Sequence, residues 1–218
     1  VVLMFGFFSL SFSPAGVVYN DYAYKVVDIN NIQTINGIPI NWDNFDKGKF
    51  ENETQFGEIK TENETFYALK GYYPKEKMVA LYYSAPAIKS NLTGAITQIN
   101  EKEITSIETL TQELSKYSPE EEIEIVTFDG ENENEITIEL ETSPSGEDKA
   151  WLGITFYPTQ GKGLIQKIAK VTTSYKSPNV YYESNFEFAK FIYDLLWWLV
   201  LISFSVALVN MLPMGIFD

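Results

Sequence analysis

Two apolar runs without charged residues flank a long polar region in this sequence. The second run covers residues 195–217 and contains no charged side chain. About 20 helical residues are needed to cross the roughly 30 Å hydrocarbon core of a bilayer, so this run is long enough to span it. Trp197 and Trp198 lie near its start, where indole rings favour the lipid–water interface. We therefore predict an integral membrane protein with a transmembrane helix in residues 186–218.

The first apolar run covers residues 1–12 and is interrupted only by Ser and Gly. A signal peptide would carry a basic residue ahead of its apolar stretch, and the first charged residue here is Asp21. We interpret residues 1–13 as the end of a transmembrane helix whose beginning has been removed, with a buried strand as the alternative. The polar region would then be an insertion between two helices of a multi-pass protein.

Within the polar region, the clearest alternation lies in residues 78–157. Alternate positions are filled by Ile123, Ile125 and Thr127 in one segment and by Ile136, Ile138 and Leu140 in the next, and Asp129 and Gly130 stand between them. This pattern predicts a β-hairpin with one buried and one solvated face. The charges on the solvated face are not expected to be catalytic.

A short amphipathic helix is predicted to precede that hairpin. Ile107, Leu110 and Leu114 recur at helical spacing and would lie on one face. Thr105 and Glu108 have the spacing of a capping box, so we expect Thr105 to be the N-cap. The region as a whole is therefore predicted to be α+β, with strands predominating.

A weak internal repeat links the two halves of the polar region. Residues 32–40 parallel residues 96–104 at an offset of 64 positions, with Ile-x-x-Ile-Asn in both copies. Residues 56–60 and 65–71 predict a further hairpin, and residues 42–45 predict the start of a short helix. The first half is thus either a degenerate copy of the second or an irregular β segment.

These patterns divide the chain into five predicted parts. Residues 1–13 are the end of a transmembrane helix, and 14–77 are a β-rich segment, either the degenerate copy or an irregular one. Residues 78–157 form the best-defined domain, and 158–185 are a linker or an amphipathic juxtamembrane segment. Residues 186–218 contain the second transmembrane helix.

Composition and charge narrow the functional classes. The chain has 218 residues and a formal net charge of −14, and its 16 basic side chains are all lysine. A nucleic-acid partner is not expected, because phosphate binding relies on a basic surface. The absence of His and Cys excludes Ser-His-Asp and Cys-His catalytic systems, and leaves carboxylates as the strong zinc ligands.

Three Asn-x-Thr sequons, at Asn52, Asn63 and Asn91, are typical of an extracytoplasmic location. An acidic region of this kind is also expected to be repelled by anionic lipid headgroups rather than to bind them. We therefore expect the insertion to face the extracytoplasmic side of the membrane.

The residues of the best-defined domain resemble the PDZ domains of membrane and periplasmic proteases, in their permuted form. The resemblance rests on Ser84-Ala-Pro-Ala87, on Gly94-Ala-Ile-Thr-Gln-Ile-Asn100 and on Trp151-Leu152-Gly153-Ile154. Ala95 and Glu101 replace the usual Asp and Gly of that pattern. The resemblance implies that Trp151, Leu152, Gly153 and Ile154 form the loop that receives the C-terminal carboxylate of a peptide. The alternative is that these residues only begin a core strand.

The last apolar run ends in a second resemblance. Asn210-x-x-Pro213-x-x-x-x-Asp218 is similar to a helix motif of the site-2 protease family of intramembrane zinc metalloproteases. The family resemblance implies that Asp218 is a zinc ligand, that Asn210 belongs to the active-site and substrate region, and that Pro213 shapes a helix break. Composition alone favours the alternative that Asp218 simply marks the aqueous end of the helix.

The sequence also departs from that family, because its zinc site needs a His-Glu-x-x-His helix and no His is present. We expect that helix to lie upstream in a longer protein, and the chain by itself to be inactive. The resemblance implies regulated proteolysis of membrane-anchored protein substrates, with the PDZ-like insertion filtering them. The alternative is a non-enzymatic, membrane-anchored scaffold that binds peptide C-termini.

Overall fold

The computed structural model of the chain describes residues 2–42, 56–69, 77–146, 149–157 and 175–211. It is an α+β structure with mostly sheet content, as the alternation predicted. One helix in these residues is long and apolar enough to cross a membrane.

The elements fall into a strand-rich middle and helical ends. The strands are β1 Phe12–Val17, β2 Asp21–Tyr22, β3 Tyr24–Asp28, β4 Ile32–Ile35, β5 Ile38–Pro39, β6 Phe56–Thr61, β7 Thr65–Leu69, β8 Met78–Tyr83, β9 Ala95–Ile99, β10 Lys102–Glu103, β11 Glu122–Phe128, β12 Glu133–Glu139, β13 Glu141–Thr142, β14 Ala150–Trp151, β15 Ile154–Thr155 and β16 Val180–Ser184. The helices are α1 Val2–Ser11, α2 Pro86–Lys89, α3 Ile107–Leu114 and α4 Ala189–Met211.

The first sheet has the strand order β3-β8-β7-β6-β4-β5, and its neighbouring strands are antiparallel. In the central strands β7 and β8 the buried residues are two positions apart, as expected for a sheet with one face on a core. The buried side chains form one cluster, whose members are Val27, Ile32, Ile35, Ile59, Phe66, Ala68, Val79 and Leu81. The hairpin predicted for residues 56–60 and 65–71 is confirmed as β6 and β7.

The second sheet has the order β12-β11-β9-β1-β16, with β10 also paired to β9. The predicted hairpin is confirmed as β11 and β12, in which Ile123 lies opposite Ile138 and Ile125 opposite Ile136. Its core contains Val17, Ala87, Leu92, Ile96, Ile99, Ile104, Leu110, Ile123, Ile125, Ile138, Leu140 and Leu152. Helix α3 packs on this core through the predicted face.

Helix α3 begins one residue later than predicted. Its N-cap is Ser106, whose Oγ accepts from the N–H of Thr109 (3.2 Å), while Thr109 Oγ1 accepts from the N–H of Ser106 (2.9 Å). The prediction of Thr105 with Glu108 was wrong. Both pairs have the three-residue spacing of a capping box, so the spacing alone could not choose between them.

Sheet membership does not follow the boundaries predicted at residues 77/78 and 157/158. Strand β8 belongs to the first sheet, where it pairs with β3 and β7. The second sheet recruits β1 and β16 from outside residues 78–157, and Val17 of β1 is fully buried in its core. The two sheets are therefore interleaved along the chain.

The second sheet connects directly to both terminal helices. Helix α1 leads into β1, and β16 leads into α4 after residues 185–188. The two strands are antiparallel, with Phe12 opposite Ser184, so α1 and α4 both join the sheet at the same end. Residues 1–13 were predicted to be the end of a transmembrane helix; α1 covers Val2–Ser11, whereas Phe12 and Ser13 belong to β1.

Aromatic packing fixes α1 against α4. The ring of Phe8 contacts Tyr182 at 5.0 Å and Tyr193 at 5.4 Å between centroids. Beyond this contact α4 is exposed, with a mean hydropathy of 2.1 and no buried residue in its most apolar window. An apolar helix that the protein leaves uncovered is the type that a bilayer can surround.

Candidate peptide-binding site

The Gly153 loop, which we define as residues 151–154, can be formed only with glycine at its third position. Gly153 has φ +86°, in the left-handed region that favours glycine. A Cβ at this position would lie 2.1 Å from the Cβ of Ala85. The close approach is possible because Ala85 is small and fully buried. The loop therefore packs directly on residues 84–87, the segment where the chain turns into helix α2 and which we call the 84–87 turn.

Two carbonyl groups anchor this loop to neighbouring segments. The carbonyl of Leu152 accepts from the N–H of Ala87 (2.9 Å), and the carbonyl of Gly153 accepts from the N–H of Ala23 (2.8 Å). The Leu152 side chain is buried in the second core. Both contacts are fixed by backbone atoms, so the loop is held in one conformation.

Two N–H groups of the same loop, unlike its carbonyl groups, make no hydrogen bond within the described part of the chain. Leu152 and Gly153 are both buried, yet their N–H groups donate to none of the residues that the structure describes. Buried N–H groups are nearly always paired, with protein, water or a ligand. Successive N–H groups at a left-handed glycine form a concavity suited to an anion. The loop can therefore accept a carboxylate.

On either side, the loop continues into paired strands. Trp151 lies opposite Glu141 in the β13–β14 pair, and its ring meets Tyr83 edge-on at 5.7 Å. Ile154 lies opposite Tyr22 in the β15–β2 pair. Strand β15 thus leaves the loop with one edge used by β2, and no other strand of the described chain pairs with its second edge.

Two tyrosines fix β2, and thereby β15. The hydroxyl groups of Tyr19 and Tyr22 both donate to the carbonyl oxygen of Leu92, at 2.5 and 2.6 Å. Burial raises the pKa of Tyr19 far above its ordinary value, and the neighbouring Tyr22 raises it further. Tyr19 therefore stays protonated and keeps donating throughout the physiological pH range.

Helix α3 lies on the same core as β15. Four half-buried side chains pack against the second core here: Ile107 and Leu114 of α3, Ile154 at the end of the loop, and Phe156 after it. Strand, anion-accepting loop and helix are the three parts that strand addition of a peptide C-terminus uses. The sequence resemblance had named the loop, but not the contacts with Ala85 and Ala23 that hold it.

Of Asn210, Pro213 and Asp218, the named residues of the second motif, only Asn210 lies in the described part of the chain. Asn210 lies on α4, one residue before its end at Met211, and is exposed. It is about 30 Å from Ala189 along the helix axis, at 1.5 Å per residue. Pro213 and Asp218 lie outside the described residues. The structure thus brings Trp151, Leu152, Gly153 and Ile154 together but does not bring them to Asn210.

The residues present do not fit a zinc centre. The sequence contains no His and no Cys, and the described part contains no group of three acidic side chains placed to hold a metal ion. Asp218 alone would supply one ligand, whereas a catalytic zinc site takes three from protein.

Comparison with known proteins adds no assignment. The chain matches no protein-family model, and it matches no curated protein.

Proposed function

We propose that this chain is a membrane-anchored peptide-recognition module that binds the C-terminal carboxylate of a protein at the Gly153 loop. The observation that carries the proposal is that Leu152 and Gly153 are buried residues whose N–H groups donate to no residue in the described part of the chain. The carboxylate would accept from both groups, and the preceding peptide residues would extend along the second edge of β15. Ile107 and Leu114 of α3 would contact the peptide's apolar side chains.

A permuted PDZ-like fold is the finer form of this proposal. Its support is the order of the parts: the 84–87 turn, strand β9, helix α3, the β11–β12 hairpin and then the Gly153 loop. The 84–87 turn packs against the Gly153 loop, because Ala85 lies against Gly153 and the N–H of Ala87 donates to the carbonyl of Leu152. Trp151 and Ile154 would then flank the bound carboxylate.

The wider proposal is that the chain is part of a site-2-type intramembrane zinc metalloprotease. Its support is the sequence motif from Asn210 to Asp218 on the apolar run that contains α4. In that protein the peptide-recognition module would filter membrane-anchored substrates, and Asp218 would join ligands from outside these 218 residues. The sequons at Asn63 and Asn91, both on exposed residues, support an extracytoplasmic position for the module.

A second candidate is a non-enzymatic membrane-anchored scaffold. The observation that favours it is the absence of His and Cys, which leaves the chain without the side chains of a zinc protease. Both candidates use the same peptide site. They differ only in whether the protein that contains α4 also holds a metal.

Peptide titration tests carboxylate capture. The full chain in zwitterionic nanodiscs is titrated with fluorescent peptides that differ only in a free or an amidated C-terminus. Loss of a charge-assisted hydrogen bond costs about 1.5–3 kcal/mol, so the free acid is expected to bind at least about tenfold more tightly. Equal affinities would contradict the proposal, whichever protein class the chain belongs to.

Metal stoichiometry separates the two candidates. The chain alone, purified with zinc present and then desalted, is expected to hold no stoichiometric zinc. The longer protein containing the chain is expected to hold one zinc ion if it is a site-2-type protease, and to lose it in the Asp218→Asn variant. A longer protein without zinc would support the scaffold.

A further inference from the structure

An apolar groove of about 700 Å³ lies between α1 and α4. Leu3, Met4 and Phe5 line it on α1, and α4 lines it from Leu196 to Phe204, a length of about 12 Å along the helix axis. Ser203 is the one hydroxyl-bearing residue of this lining, and its Oγ donates to the carbonyl of Leu199 (2.7 Å) within the helix. The groove therefore suits a hydrocarbon chain that runs along the two helices.

Two tyrosines border the groove at the end nearer the sheet. The ring of Tyr175 stacks on Phe5, with 4.3 Å between centroids, and Tyr193 lies on α4 three residues before Leu196, on the same helix face. Their hydroxyl oxygens are 2.6 Å apart, so one donates to the other. The second hydroxyl keeps its hydrogen without an acceptor in the part of the chain that the structure describes. An O–H donor is thus available at this end of the groove.

Lys176 places a positive charge next to the tyrosine pair. Its Nζ lies over the rings of Phe8, at 5.7 Å, and Tyr182, at 6.0 Å. Phe8 is three residues nearer the sheet than Phe5, so the ammonium lies beyond the groove on its water-facing side. Among the described residues Lys176 forms no ion pair. Its N–H donors are therefore held in place by aromatic faces and remain available to an anion.

The order of these groups defines the occupant. From the bilayer interior towards water, the helix pair presents an apolar groove, a hydroxyl donor and then an ammonium group. A phospholipid presents the complementary series of hydrocarbon chain, ester and phosphate in the same direction. A free phosphate ion would leave the groove unused, and an apolar helix of another protein would leave the ammonium without a partner.

We propose that α1 and α4 hold one phospholipid molecule, with an acyl chain in the groove and the phosphate accepting from Lys176 and from the free tyrosine hydroxyl. The bound lipid fixes the depth at which the two helices enter the bilayer. This inference rests on the membrane anchoring in the proposed function. It does not rest on carboxylate capture by the Gly153 loop.

Native mass spectrometry of the full chain tests the site. The chain is purified in detergent, freed of lipid and mixed with dioleoylphosphatidylcholine or with dioleoylglycerol, which has the same chains and no phosphate. Phosphatidylcholine carries no net charge, so the acidic chain, with its formal net charge of −14, does not repel it. One molecule is expected to bind per chain, at least about fivefold more tightly than dioleoylglycerol. Glycerophosphocholine, which has no chains, is expected not to bind.

Four variants separate the phosphate from the acyl chain. Lys176→Gln is expected to weaken phosphatidylcholine binding about fivefold and to leave dioleoylglycerol binding unchanged. Lys190→Gln removes the same charge from an exposed position in the first turn of α4 and should bind normally. Leu199→Trp puts a larger side chain in the groove and should weaken binding of both lipids. Ile202→Trp is its control, because Ile202 is similarly exposed (56% against 52%) and does not line the groove.

Two results would overturn the inference. Equal affinity for phosphatidylcholine and dioleoylglycerol would show that the phosphate is not recognised. Wild-type binding in both Lys176→Gln and Leu199→Trp would show that the lipid does not occupy this groove. Membrane anchoring is measured separately, by sedimentation of the chain with carbonate-washed membranes. A chain that stays in the membrane but binds no phosphatidylcholine would contradict this inference and leave the proposed function intact.

Discussion

The hairpins β4–β5 and β9–β10 lie in different sheets, yet an asparagine fixes each of them in the same way. The N–H of Asn36 donates to the carbonyl of Glu58 (2.7 Å), and its Oδ1 accepts from the N–H of Glu58 (2.9 Å). Asn100 makes the same two bonds with Glu124, at 3.0 and 2.8 Å. Both asparagines have positive φ, of 50° and 43°.

The equivalence extends beyond the asparagines. The N–H of Ile40 donates to the carbonyl of Gln33 (3.0 Å), as that of Ile104 does to Thr97 (2.8 Å). In both copies a long hairpin pairs next to the short one, β6–β7 in the first sheet and β11–β12 in the second. The weak sequence repeat is therefore a structural repeat in the described residues.

The copies differ in what is attached to them. The second sheet gains β1 and β16, which connect it to α1 and α4, and its core receives Leu152 from the Gly153 loop. The residues that would correspond to α3 in the first copy, and the short helix predicted to begin in residues 42–45, lie largely outside the described residues. The repeated hairpin is thus a scaffold, and the groups available to a ligand lie on the segments added to its second copy.

The largest loss of stability is expected for Gly153→Ala, and Gly37→Ala in the first copy is its comparison. Gly153→Ala meets both a positive φ and a Cβ contact of 2.1 Å, so we expect a loss of about 2–4 kcal/mol in unfolding free energy. Gly37→Ala, in the turn of the first copy, meets a φ of +75° but open space, and should cost only about 1 kcal/mol. Denaturant unfolding of the full chain in detergent measures both. Equal losses would contradict a loop packed on Ala85.

The second prediction concerns the repeated asparagines. Asn36→Ala and Asn100→Ala each remove one bond to a strand N–H and the residue type that tolerates positive φ, so each should cost about 1–3 kcal/mol. Asn100 also donates to Tyr117 Oη (3.0 Å), and the Ala variant loses this bond as well. Unfolding of the two variants, compared with Thr93→Ala on an exposed turn, measures them. A loss confined to one copy would argue against an equivalent scaffold role.

The smallest effect is a pH dependence confined to the second copy. A hydrogen bond from Lys116 (2.6 Å) is the main cause that lowers the pKa of Glu113 on α3, and Tyr117 contributes a further bond. A lowered pKa stabilises the fold above the ordinary value of 4.5, and this stabilisation is lost as the pH falls through the folded pKa. Glu113→Gln should therefore be less stable than wild type at pH 6, and the difference should shrink towards pH 3. A difference that is constant with pH would contradict this.

Local alternation was sufficient to predict β6, β7, β11 and β12, because each hairpin pairs residues that are close in sequence. It could not predict that β1 pairs with β16, since residues 12–17 and 180–184 meet only after the intervening chain has folded. For the same reason the assignment of β8 to the first sheet was not visible in its own residues. Apolar content predicted α4, whose exposed surface is consistent with a bilayer around it.

The candidate site was predictable only in part. The Trp-Leu-Gly-Ile sequence indicated a loop, and Gly153 is indeed required there by its φ and by Ala85. The unpaired N–H groups depend on how β2 and the 84–87 turn meet, which no local pattern contains. The zinc assignment of Asp218, and the roles of Asn210 and Pro213, remain predictions from the sequence motif.

Carboxylate capture by the Gly153 loop is tested most directly by the amide proton shifts of Leu152 and Gly153. The full chain, labelled with ¹⁵N at leucine and glycine, is titrated in detergent micelles with the free-acid and the amidated peptide. We predict that both amide protons move downfield with the free-acid peptide and stay in place with the amidated peptide, because only the carboxylate accepts from them. Unmoved signals at saturating free-acid peptide, or equal shifts with both peptides, would contradict it.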